Sequence, residues 1–320
     1  MRLKFTTALS LVLAGSLGLA QGAAAKSPFK ITYIMGLTGN PFYSTVACGS
    51  AAEAKKLGGV VFDAQGPAQY QPQLQMRVLD AVIASRPDGI MFTADDPVAM
   101  TPTLLKAKAM GIKIISIDGD LKNMSVAIAN IQSDNILGGK QAAIALAKAI
   151  GGKGEVMAME NSPAAVVAQQ RLQGFVDQIK LYKGIKYLGV QYSNNETSKA
   201  AGIVTATIAA HPRLAGVFTI TTNNTEGAAT GVREAGRIGK IKIVGFDTSD
   251  PIVEDIRQGI VTADVVQYPY RVGELGVEMM VHALEGKPVA REVHTPFVIA
   301  TKDNIDTPAV QKFVYKTKCQ

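Results

Sequence analysis

Tryptophan is absent from this chain of 320 residues, histidine occurs three times, cysteine twice, and charged residues make up only 18%. Each shortage excludes something. With 47% hydrophobic residues, the chain carries too much apolar material to stay disordered. Its 33 bases against 26 acids form no run longer than Lys55-Lys56, so the basic stripe that displaces counterions from nucleic acid is missing. Two cysteines without histidines at ligand spacing do not make a metal site. No G-x-x-x-x-G-K-[ST] loop and no G-x-S-x-G elbow occurs. The cluster Gly151-Gly152-Lys153-Gly154 precedes a strand candidate, whereas a dinucleotide fingerprint follows one and opens a helix. His211, His282 and His294 have no nucleophile or carboxylate at motif spacing. Neither a catalytic residue nor a cofactor is expected.

Long hydrophobic runs are also scarce, and the one that exists lies at the amino terminus. Arg2 and Lys4 precede an apolar stretch from Phe5 to Ala20, and small residues follow at Ala23-Ala24-Ala25. This is the layout of a secretory signal over residues 1–25, cleaved near Ala25. Interrupted by serines, threonines and glycines, it is short of the roughly 20 residues that a spanning helix needs. The expected mature protein is exported and soluble, with 31 bases against 26 acids, or +5, once Arg2 and Lys4 are removed. An oxidising compartment permits one disulfide between Cys48 and Cys319; the spacing neither requires nor forbids it.

What is present is alternation. Apolar strand candidates at 30–35, 59–63, 89–93, 113–118, 155–159, 185–192, 216–220 and 242–247 are separated by helix-period segments. Continuous apolar strands alternating with helices indicate parallel sheets covered on both faces, so the class is doubly wound α/β. Single cores stop growing near 250–300 residues, which favours two lobes. An internal echo supports this. Pro87 leads through Phe92-Thr93 to Asp118, and Pro212 leads through Phe218-Thr219 to Asp247. Each copy sets an aspartate just past a strand's carboxyl end, where open α/β sheets bind ligands.

Thr38-Gly39-Asn40-Pro41-Phe42-Tyr43, Ser116-Ile117-Asp118, Ser133-Asp134-Asn135, Val244-Gly245-Phe246-Asp247 and Gln267, taken in order, resemble the periplasmic sugar-binding proteins of the ribose-binding type. The likeness runs from about Phe29 to Thr301. It implies two doubly wound parallel-sheet lobes, 26–131 plus 268–296 and 132–267 plus 297–320, joined by three crossovers near 131–133, 267–268 and 296–298. It also implies a monomer in the periplasm that hinges shut on a small neutral sugar or polyol and docks on an ABC transporter permease, or alternatively on a chemoreceptor. No reaction follows from it.

Carried over by position, the resemblance makes Asn40 a hydrogen-bond partner of a ligand hydroxyl, with Phe42 and Tyr43 as aromatic surface. Asp118 and Asp247 become acceptors, Arg171 a donor, Phe246 a stacking ring, and Gln267 a bridge between ligand and hinge. The plain structural alternatives are a turn role for Asn40 and core positions for the aromatic residues. The chain departs from the pattern at Gly119-Asp120, at Asn195, and at Thr221-Thr222-Asn223-Asn224. One guanidinium and one ring give way to small polar groups, which brings Asn195 and Thr221 into the expected site. A repressor's effector domain shares the lobes, but it needs a helix-turn-helix where this chain has its export signal. An exported enzyme using Asp118 and Asp247 as acid and base is the remaining competitor.

Overall fold

The computed structural model describes residues 27–163, 166–316 and 318–319; the secretory segment expected at 1–25 lies outside them. The first half runs β1 (Phe29–Ile34), α1 (Pro41–Leu57), β2 (Val60–Gln65), α2 (Pro72–Ala84), β3 (Gly89–Phe92), α3 (Pro97–Ala109), β4 (Lys113–Ile117) and β5 (Ala129–Ser133). The second runs α4 (Asn135–Ala149), β6 (Gly154–Glu160), α5 (Val166–Ile179), β7 (Ile185–Tyr192), α6 (Thr197–Ala210), β8 (Leu214–Thr219), α7 (Thr222–Glu234), β9 (Lys242–Phe246), α8 (Asp250–Gln258) and β10 (Ala263–Val266). The chain closes with α9 (Pro269–Leu284), β11 (Glu292–Thr295), β12 (Val298–Ala300) and α10 (Pro308–Gln311).

Two six-stranded sheets result, ordered β11-β5-β4-β3-β1-β2 and β12-β10-β9-β8-β6-β7. Every pairing is parallel except β10 with β12. The buried apolar runs of β3, β4, β8 and β9 fill the sheet centres, as strands covered on both faces require. The helix starts are written locally. Pro41 sits at the first turn of α1 while Asn40 Oδ1 accepts from the amides of Phe42 and Tyr43 at 2.9 and 3.4 Å, and Asp96, Asp134 and Ser249 cap α3, α4 and α8 in the same way.

Closely approaching helix pairs tighten each half. A Cβ on Gly49 of α1 would stand 2.0 Å from the Tyr270 carbonyl oxygen of α9, and one on Gly273 would stand 2.0 Å from that of Val46. In the other half, a Cβ on Gly139 of α4 would stand 2.0 Å from the Arg171 carbonyl oxygen, and one on Gly174 of α5 would stand 2.0 Å from that of Ile136. Only glycine permits such contact, and the second pair fixes where Arg171 starts.

The chain passes between the sheets three times, but two expectations need correction. The segment expected to be the first crossover, 131–133, belongs to β5 in the first sheet, so the passage follows Ser133. Asn130, Gln132 and Ser133 interrupt the apolar run of this strand; Asn130 Nδ2 and Gln132 Nε2 donate to Asp120 Oδ1 at 2.6 and 3.2 Å. The other passages lie between β10 and α9 and between β11 and β12. The tail, assigned with 297–320 to the second lobe, stays on it as far as Tyr315: Asp306 accepts from Arg257 Nη2 of α8 at 2.7 Å, Ile305, Val310, Phe313 and Tyr315 are buried, and the Tyr315 amide donates to Thr248 Oγ1 at 3.1 Å. Lys316 then donates its amide to Thr45 Oγ1 of α1 at 2.6 Å, and Cys319 is disulfide-bonded to Cys48. The tail thus starts on one sheet and ends on the other half's first helix.

Candidate functional site

β4 and β9 end alike. The next residues, Asp118 and Asp247, adopt left-handed φ of 55° and 74°, a region that aspartate tolerates better than most side chains. Their amides donate to Ile131 and Val265 of the neighbouring strands at 2.9 and 3.0 Å. Both side chains line one cleft between the sheets, with about 1060 Å³ of atom-free space open to solvent. Asn40, Phe42, Tyr43, Tyr70, Asp95 and Asp120 line it from the first half, and Asn161, Arg171, Asn195, Thr221 and Asn223 from the second. Eight of the ten expected site residues therefore meet at one cleft.

Phe246 and Gln267 are not on its wall. Phe246, expected to stack on a ligand, is 0% exposed and lies beneath Arg171, whose guanidinium carbon is 3.8 Å from the ring centroid. It supports a cation rather than meeting a guest. Gln267, at 1% exposure, donates its Nε2 to Asp247 Oδ1 at 2.7 Å, so any contribution to binding passes through that carboxylate.

Arg171 is itself 3% exposed and is held by three hydrogen bonds. Its Nε donates to Asn135 Oδ1 at 3.0 Å, and Nη1 donates to the Ile220 carbonyl at 3.1 Å and to Asp247 Oδ2 at 3.3 Å. Tyr315 of the tail adds a further hydrogen bond to Asp247 Oδ1. Phe42 stands edge-on to both Tyr43 and Tyr315, at 5.5 and 5.8 Å between centroids. On the second wall, Thr221 Oγ1 donates to Asn195 Oδ1 at 3.3 Å and Asn223 Nδ2 to the Asn195 carbonyl at 2.8 Å. Small amides and hydroxyls thus do stand together where a ring was missing from the sequence pattern.

Asp118 differs from Asp247. Its Oδ1 is buried without a partner. Burial pushes its pKa up to about 7, with Arg171 opposing and Asp247 reinforcing the rise. Asp95, which the sequence reading passed over, is similar: both its carboxyl oxygens are buried and unpartnered, and burial pushes it up to about 8. Asp95 follows β3 closely, so the rule that singled out Asp118 and Asp247 would have found it. Tyr70, in the loop before α2, carried no such signal, nor did Tyr315.

Residues 31–288 match the family described as the periplasmic binding protein domain. The chain is 26% identical over 282 residues to the ribose import binding protein RbsB of Bacillus subtilis, covering 87% of this chain and 88% of that one. It is 28% identical over 236 residues to a D-ribose/D-allose-binding protein of Pseudomonas aeruginosa, covering 71% and 74%. Among solved structures, an ABC transporter solute binding protein from Agrobacterium vitis bound with alpha-D-tagatopyranose superposes with a TM-score of 0.86 and 35% identity, over 90% of this chain and 99% of that one.

Proposed function

The chain belongs to the periplasmic binding protein family, and from that premise we propose that it captures a small neutral monosaccharide or polyol between two hinged lobes and delivers it to an ABC-type permease. The observation that carries the reading is the shared cleft of Asp118 and Asp247. A polyhydroxylated guest loses water when enclosed, and its hydroxyls then need charge-assisted partners. Asp118 offers an unpartnered oxygen. Asp247 already accepts three hydrogen bonds, which leaves room for about one more on its lone pairs. The amide-rich wall at Asn195, Thr221 and Asn223 takes remaining donors and acceptors, while Phe42 and Tyr43 suit the C–H face of a ring. All of this is binding, with no bond to make or break.

In this reading the lobes are 27–133 with 269–295, and 135–266 with 297–315, hinged at the three passages. The protein works as a monomer in the periplasm, where the expected signal would send it. Calorimetry and thermal shift on the exported protein, over a panel of aldoses, ketoses and alditols, test the proposal. Micromolar or tighter binding to one class, with a rise in melting temperature and no turnover, is the expected result, since affinity for the folded state adds to stability. Binding confined to charged or apolar compounds would overturn it.

A further inference from the structure

Asp95 has no counterpart in the other half. The echo that pairs Phe92-Thr93 with Phe218-Thr219 sets Asp95 opposite Thr221, so a carboxyl stands on one wall where a hydroxyl stands on the other. Its position is built. Gln75, fully buried on α2, accepts from the Asp95 amide through Oε1 at 2.9 Å and donates through Nε2 to the Thr93 and Met35 carbonyls at 2.7 and 3.2 Å. The loop after β3 is therefore held against the end of β1.

Space for the carboxyl depends on one residue. A Cβ placed on Gly36 would stand 2.5 Å from Asp95 Oδ1 and 2.9 Å from Tyr43 Oη. Any side chain there would push Asp95 aside. With glycine, the carboxyl reaches the cleft wall while neither oxygen finds a protein partner. A buried carboxyl without a partner is costly, and nothing in the fold repays it. Among the described residues, no group of three His, Cys, Asp or Glu side chains could hold a metal ion, so a cation cage does not account for it. What remains is a donor brought in by the guest.

We propose that Asp95 is a specificity-determining residue of the cleft: its carboxyl bonds one particular hydroxyl of the guest, and Gly36 is what admits it. This rests on the sugar-capture reading above. A site built around a hydrogen bond to one substituent rejects the analogue lacking it far more strongly than an apolar pocket rejects a missing methylene. Asp95 thereby sorts guests that Asp118 and Asp247 alone would treat alike.

The test is calorimetry of the exported protein with D-tagatose, D-ribose, D-allose, D-glucose and D-glucosamine, and with the monodeoxy derivatives of whichever binds best. Wild type is compared with Asp95→Ala, Asp95→Asn, Gly36→Ala and the Gly36→Ala/Asp95→Ala double variant. Asp95→Ala is expected to weaken the best sugar by about tenfold, the loss of one hydrogen bond to the guest. It should also erase the penalty for one particular monodeoxy derivative. Gly36→Ala should reproduce that loss, yet add less than about twofold in the Asp95→Ala background, because the two act on one contact. The deoxy effect without any advantage of D-glucosamine over D-glucose assigns the contact to a hydroxyl; a D-glucosamine advantage that vanishes in Asp95→Asn would make the guest a cation and overturn the proposal. Wild-type affinities and ranking retained by Asp95→Ala would overturn the proposal. Wild type that bound none of these sugars and no other aldose, ketose or alditol of the panel would sink the capture reading, and this inference with it.

Discussion

Asp118 and Asp247 occupy matching positions at the ends of β4 and β9, with the same backbone twist and the same amide bond to a neighbouring strand, yet opposite side-chain surroundings. Asp247 is held by Arg171, Gln267 and Tyr315, which come from α5, the second passage between the sheets and the tail. Asp118 keeps an oxygen unpartnered. One aspartate is built into the structure; the other is open to a guest.

Substitutions should separate the two roles. Asp118→Ala removes an acceptor that nothing else uses, so sugar affinity should fall by about 100-fold, the upper end for a charge-assisted bond, while the ligand-free melting temperature holds or rises. Asp247→Ala leaves the Arg171 guanidinium buried without its anion, which costs about 3–5 kcal/mol of stability. Calorimetry and denaturant unfolding of both variants check this. Equal loss of stability in the two would refute the assignment.

Stability without ligand should fall as pH rises. Asp118 and Asp95 are raised to about 7 and about 8, and Glu160, which accepts from Gln169 Nε2, to about 7, all by burial. In the unfolded chain carboxyls titrate near about 4, so between these values the folded state holds more protons. The contribution is fully present below about pH 4 and is lost as pH climbs through 7 to 8. Melting temperatures measured at pH 5 and pH 8 should differ in that direction. Asp264, buried with both oxygens unpartnered and pushed well above the usual carboxylate range by burial, adds to the same trend, and Asp264→Asn should flatten it. A melting temperature that climbs from pH 5 to pH 8 would contradict the burial of these groups.

The Cys48–Cys319 disulfide spans a sequence separation of 271 and ties the tail to α1. Replacing both cysteines by serine should lower stability by about 2–4 kcal/mol. It should also weaken sugar binding, because the released tail carries Tyr315, a donor to Asp247. Urea unfolding with and without reductant measures the first effect and calorimetry the second; identical curves would show the tail holding without its covalent anchor.

Gly174→Ala probes the α4–α5 contact. The new Cβ would meet the Ile136 carbonyl oxygen at 2.0 Å, so the helices must separate, at a cost of about 1–3 kcal/mol. Arg171 rides on α5 and should lose its geometry toward Asp247. Gly202→Ala on α6, where a Cβ meets nothing within 4 Å, is the control expected to leave stability and binding nearly unchanged.

The amino-acid order alone carried the two-lobed α/β class, most strand positions, the cap at Asn40-Pro41 and the paired aspartates. These are local matters: apolar runs, turn chemistry and the residue that ends a strand act within a few positions of one another. The short strands β5, β10, β11 and β12 were not legible, since three to five residues become a strand only when a partner lies alongside. Nor was it legible that Phe246 lies under Arg171, that the tail crosses to α1, or that Asp95 and Asp118 stay unpartnered while Asp247 does not. Those outcomes depend on which atoms arrive from 20 to 271 positions away. Only the packed fold, by deciding who neighbours whom, distributes the partners.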